Sequence, residues 1–180
     1  RGINEIANVV PPLAIRAEPL PPVEREALDV RVEAFGEALD AGARVEPLIL
    51  TERELNAVLA EEMSEDDGSI ELEPVPGQVR AHVSLPIRAE LPLGPWARDL
   101  RGRYLNGTAA VDLRLVNGEL DFTIREFDVK GRRLPGYALD ALQSELERTG
   151  VFESEDVQGY LSRVDDLRVE SGRIVLIPRS

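Results

Sequence analysis

Between residues 23 and 40 the apolar positions Leu28, Val32, Phe35 and Leu39 recur at spacings of four, three and four. That is the period of one helical face. Ala27, Ala34 and Ala38 lie beside this stripe. Pro22 suits the first helical position, where its missing N–H costs nothing and its φ is preset. Gly42 suits the stop, because glycine accepts the left-handed conformation that ends a helix. The pattern predicts an amphipathic helix of about five turns. Upstream, Pro11, Pro12, Pro19, Pro21 and Pro22 exclude a helix interior. Residues 1–21 are therefore read as an extended, proline-rich arm or tether, and 22–180 as one domain.

The run Leu48-Ile49-Leu50 predicts a short strand. Thr51 follows as a helix cap. It forms a capping box with Glu54, and Leu50 and Leu55 stand at the staple positions. Leu55, Val58 and Leu59 are expected to form the buried face of that helix. Glu61, Glu62, Glu65, Asp66, Asp67 and Gly68 then read as an acidic loop.

Three hairpins can be registered from alternation alone. Asn117-Gly118 is a strong turn signal. Folding there pairs Leu115 with Leu120, Leu113 with Phe122 and Val111 with Ile124 on one apolar face. Arg114 then faces Asp121, and Asp112 faces Thr123. A slip of one residue would destroy this agreement. The apolar parity changes at Phe127 and Val129, which predicts a bulge near Arg125-Glu126. A second hairpin turns at Pro76-Gly77, with Leu72 opposite Ala81, Ile70 opposite Val83 and Glu71 opposite His82. Pro-Gly favours a type II turn, so a loop wider than two residues is expected. The third turns at Ser171-Gly172, with Val169 opposite Ile174 and Leu167 opposite Leu176. Pro86 and Pro92 interrupt the strand that runs on from Val83 and mark its far end as a sheet edge.

Pro135 opens a further helix striped by Leu139, Leu142 and Leu146 and closed by Gly150. Ser154 caps a shorter one through Val157, Tyr160 and Leu161. Every strand link that can be registered is a hairpin. The fold class is therefore α+β, a curved antiparallel sheet of hairpins packed by amphipathic helices.

Composition narrows the chemistry. Among 180 residues there are 34 acids and 21 bases, a net charge of −13, with no Cys and one His. Disulfides, thiolate metal sites and a Cys nucleophile are excluded, and the acidic balance argues against nucleic acid as a partner. No apolar run is long enough to span a membrane. Neither a nucleophile elbow nor a phosphate-binding glycine motif is present. His82 reads as a surface cross-strand partner of Glu71. The acidic loop of residues 61–73 lacks the alternation of a calcium loop and reads as a solvated charge run, so no metal and no cofactor is expected. A hydrolase using carboxylates alone has no pair of acids to mark it.

One cluster stands out on so acidic a chain. The open end of the Asn117-Gly118 hairpin is expected to bring Arg101 and Arg103 close to Arg132 and Arg133, with Lys130 nearby and Trp96 and Tyr104 flanking. Facing bases destabilise a hairpin unless an anion meets them, and guanidinium suits bidentate contact with an anionic group.

The segment Leu50-Thr51-Glu52-Arg53-Glu54-Leu55-Asn56-Ala57-Val58-Leu59 resembles the opening helix motif of uncharacterised bacterial ectodomains held by one N-terminal membrane anchor. Some of these are similar to the tubular lipid-binding superfamily. The resemblance implies an extracytoplasmic domain of the bacterial cell envelope, reached by a membrane segment before Arg1. Together with the arginine cluster, it leads to the expectation of a non-catalytic role: binding of an apolar or amphipathic, lipid-like ligand with its anionic group at that cluster. The alternative is an envelope protein-interaction or scaffold module with no small-molecule ligand.

Overall fold

A computed structural model describes residues 7–8, 18–62, 68–86, 104–129, 132–149 and 161–179. The order is β1 (Ala7–Asn8), α1 (Pro22–Asp40), β2 (Leu48–Thr51), α2 (Glu52–Glu62), β3 (Ser69–Val75), β4 (Gln78–Pro86), β5 (Tyr104–Val116), β6 (Glu119–Val129), β7 (Arg132–Arg133), α3 (Gly136–Thr149), β8 (Val164–Glu170) and β9 (Arg173–Pro178). The class is α+β, as the hairpin pattern implies. The strands divide into two antiparallel sheets where one was expected. The larger runs β3-β4-β5-β6-β7, with β1 beside β5; the smaller runs β2-β9-β8. The short helix expected after Ser154 lies outside the described residues, apart from Leu161 at its end.

Helix α1 begins as its sequence dictates. Pro22 occupies the first turn, and the Arg25 N–H donates to the Pro21 carbonyl at 2.9 Å. Its end is a full Schellman closure. Gly42, at φ +64°, donates to Leu39, and Ala43 reaches back to Ala38. Leu28 and Phe35 are buried. Each burial of this kind contributes about 1.5–3 kcal/mol. Ala27 and Ala34, by contrast, are exposed.

In α2 the Thr51 hydroxyl accepts from the Glu54 N–H at 3.3 Å. The Glu54 carboxylate turns to Arg31 on α1. The buried face is a correction to the sequence reading: Asn56 and Ala57 are buried, while Leu55, Val58 and Leu59 are half-buried. The buried Asn56 is bonded to the backbone of β3, so a polar residue takes the centre of this contact.

All three hairpin registers are as expected. Asn117 and Gly118 both have positive φ, +52° and +80°, as a type I′ turn requires. The β5–β6 register shifts so that Ala110 faces Glu126 and Val111 faces Ile124, leaving Arg125 as the bulge. The Pro76-Gly77 loop is two residues, not wider, because Val75 pairs directly with Gln78 and Gly77 supplies φ +76°. Asp165 forms a further bulge in β8, where Val164 faces Pro178 and Asp166 faces Ile177.

The apolar face of the larger sheet carries the main core. Ala81, Val83, Leu105, Ala109, Ile124, Phe127 and Val129 pack with Leu134, Ala138 and Leu142 of the α3 region. A second cluster joins Leu20 and Leu28 to Ala57. A third joins Phe35, Leu48 and Val164, with Leu115 and Leu176 packed against it, so α1 lies on the smaller sheet.

The two sheets meet at their turns. Gly77 donates to Val169 and Gly172 donates to Pro74, each at 2.9 Å. Both borders of the larger sheet are met by helix carboxamides. Asn56 bonds Leu72 on β3. Gln143 of α3 donates to the Phe122 carbonyl at 2.8 Å and accepts from the Ile124 N–H at 2.9 Å on β6.

Candidate functional site

The basic end of the hairpin comes first. Arg101, Arg103 and Trp96 lie outside the described residues, as does Lys130. The chain reverses after Val129, and β7 pairs with β6, Arg133 opposite Asp128 and Arg132 opposite Val129. The place opposite Tyr104 and Leu105, which a straight hairpin would give to residues 131 and 132, is taken by Asn8 and Ala7. Arg132 and Arg133 are thus carried to the border of the sheet on the far side of β6 from β5. The reversal, not anticipated from the alternation, separates them from the row that Tyr104 occupies. Arg133 is largely exposed and pairs with Glu126 at 3.1 Å. Tyr104 is half-buried at the start of β5.

His82 stands on the polar face of the larger sheet. Its backbone faces Glu71, as expected, but its imidazole bonds elsewhere. Nε2 lies 3.0 Å from a Glu73 carboxylate oxygen and Nδ1 lies 3.1 Å from the Thr108 hydroxyl. With the proton on Nε2, the ring donates to Glu73 and accepts from Thr108. Hydroxyl, imidazole and carboxylate are the groups of a hydrolytic triad. Here they are side chains of three adjacent strands.

Nearby, Arg125 grips Asp112 at 2.5 Å, the bulge having freed Arg125 from the ladder. The Arg125 hydrogen bond holds the Asp112 carboxyl below its ordinary range against the opposing effect of burial, and its charge and a long bond from Gln78 act in the same direction. No group of three or more His, Asp or Glu that could hold a metal ion occurs among the described residues. Residues 63–67 of the acidic loop lie outside them.

A groove of about 520 Å³ opens between α1 and β2. Ala34 and Phe35 form one wall; Val45, Pro47, Leu48 and Ile49 form the other. Arg31 ties the two walls together. Its guanidinium donates to the Ile49 carbonyl at 2.8 Å and to Glu54 at 2.7 and 3.3 Å. β2 is an edge strand, paired on one side with β9. Ile49 is 41% exposed on the rim. The groove is open and contains none of Glu73, His82 and Thr108.

Sequence reading missed this site because its residues sit on three short segments whose proximity depends on how α1 packs. One signal was available: Val23, Ala27, Val30 and Ala34 form a second apolar series in α1, at spacings of four, three and four, off the buried stripe.

A scan against protein-family models and searches of curated proteins and of solved structures found no match. No helix among the described residues is long and apolar enough to cross a membrane.

Proposed function

We propose that this chain is a non-catalytic interaction module that receives a segment of a partner protein in the groove between α1 and β2. The observation that carries the reading is the edge strand β2 bordering an open apolar groove with Ile49 exposed on its rim. Sheet edges and apolar grooves are the two surfaces on which proteins most often capture a peptide. Small molecules favour concave sites that enclose most of their surface, which an open groove does less well. The lipid-like reading calls for apolar space beside the arginine cluster; of its members, Arg132 and Arg133 lie on β7, and the groove lies on α1 and β2. The setting in a bacterial cell envelope is proposed from the resemblance of residues 50–59.

The test is a peptide-display selection on the wild-type chain, with Ile49→Glu as counter-selection target. A recurring peptide that binds the wild type at least about tenfold more tightly than Ile49→Glu, roughly 1.4 kcal/mol, supports the reading. Absence of any groove-dependent peptide would overturn it, and a lipid-sized mass in native mass spectrometry that organic extraction removes would then favour the amphipathic ligand.

A further inference from the structure

The outer face of α1 continues the groove. Val23 and Val30 are 78% and 59% exposed, although both are large apolar residues. Among the five exposed large hydrophobic residues described, these two and Ile49 share one side of the molecule, through Ala34, which is both on the α1 series and in the groove wall. At 100° per residue, Val23, Ala27, Val30 and Ala34 fall within one sector of the helix surface, and the groove residues Arg31 and Phe35 follow next around the axis. The apolar series thus covers the first twelve or so of the nineteen helical residues and runs into the groove.

The charge beside it has one sign. Glu26, Glu33 and Glu37 occupy the adjoining sector on the side away from the groove, are exposed, and make no ion pair among the described residues. Other acids of α1 do have partners: Glu24 pairs with Arg53, Asp29 with Arg25 and Asp40 with Arg163. The two arginines of α1 are also engaged, Arg25 with Asp29 and Glu61, Arg31 with Glu54. Three carboxylates in a row, left without cations, border an apolar strip that is left without a cover.

We infer that the partner segment is a basic amphipathic helix, its apolar face laid on Val23, Val30 and the groove and its lysines or arginines meeting Glu26, Glu33 and Glu37. This rests on the interaction reading above and adds the chemistry of the partner. A helix with apolar and basic flanks matches a strip with apolar and acidic flanks, and the acids would steer its approach. The same acids repel an anionic membrane surface.

The experiment uses the full chain and a fluorescein-labelled helical Leu/Lys peptide of about five turns, the length of α1. Controls are the same residues scrambled out of helical register and a Leu/Glu counterpart. Binding is read by anisotropy at low and high salt. The wild type should bind the Leu/Lys peptide more tightly than both controls, and salt should weaken it. Val30→Glu and the double variant Glu33→Lys/Glu37→Lys should each weaken it by about tenfold or more, with circular dichroism melting unchanged because the positions are exposed. Equal affinity for the scrambled peptide, or indifference to both variants, would overturn the inference. So would tighter binding to phosphatidylglycerol vesicles, lost in Val30→Glu. Should the display selection return uncharged apolar peptides that need Ile49, the interaction reading stands and the basic helix falls; should it return none, both fall.

Discussion

Asn56 and Leu72 form a reciprocal pair. The Asn56 side-chain amide donates to the Leu72 carbonyl at 2.8 Å, and the Leu72 N–H donates back to the Asn56 oxygen at 2.6 Å. Asn56 is 5% exposed, so neither bond is easily replaced by water. Asn56→Ala leaves two backbone groups of β3 without partners and should cost about 2–4 kcal/mol. Asn56→Asp keeps the acceptor, loses the donor and buries a charge, so it should not rescue. Urea unfolding checks both: the midpoint should fall at unchanged slope.

Gly107 is fixed by contact. A β-carbon there would stand 2.5 Å from the Phe127 ring and 2.6 Å from the Asp128 carbonyl oxygen. The ring can shift; the carbonyl belongs to the β6 ladder. Gly107→Ala should therefore destabilise by about 1–3 kcal/mol through overpacking. Adding Phe127→Leu should recover only part of the loss, because the backbone clash remains. Thermal melting of the single and double variants measures the difference.

Asp112 makes stability depend on acid. Its folded carboxyl titrates below the ordinary range because Arg125 stabilises the charged form. The unfolded carboxyl titrates near its usual value of about 3.9. The contribution is therefore complete above that value and is lost as pH falls through the lower, folded one. Asp112→Asn should cost about 0.5–1 kcal/mol at neutral pH, in the range of a partly exposed pair. The gap between variant and wild type should close at the acid end. Denaturant midpoints from neutral pH into the acid limb test this, and a gap that does not narrow as pH falls below about 3.9 would contradict it.

The turn at Asn117-Gly118 also docks the two sheets. A β-carbon at Gly118 would meet the Ser162 Cα at 3.1 Å, and its φ of +80° disfavours any side chain. Gly118→Ala should cost about 1–2 kcal/mol from the left-handed backbone alone. Asn117→Gly should be nearly neutral, within about 0.5 kcal/mol, since asparagine already tolerates that conformation. Unfolding free energies of the two variants provide the comparison.

How much of this was readable in the chain differs by element. The hairpins were, because alternation and turn chemistry are local and a one-residue slip has a visible penalty; even the Arg125 bulge showed as a change of parity. The division into two sheets was not. β2 pairs with β9 across more than a hundred residues, and a four-residue strand carries no mark of its partner. The reversal that makes β7 was missed for a similar reason: two residues are too few to alternate. Asn56 was read past because polarity suggests solvent, whereas a sheet border offers a carboxamide both bonds it needs. The groove needs α1 to be placed against β2, which periodicity does not do. The arginines expected to gather at the hairpin's open end show a different limit. Spacing sets which residues reach the end of a ladder, but the next turn decides the side to which the chain leaves.

Asn56 and Gln143 have a consequence for how wide the larger sheet is. A carboxamide presents an N–H donor beside a carbonyl acceptor, as the edge of a strand residue does, so each side chain serves as a strand one residue long. The tally of strands is settled from outside the sheet, by α2 and α3, two helices far apart in the sequence. A copy of the chain seeking to add itself by templated stacking, as fibrils grow, would find a rung already taken at Leu72 on one border and at Phe122 and Ile124 on the other.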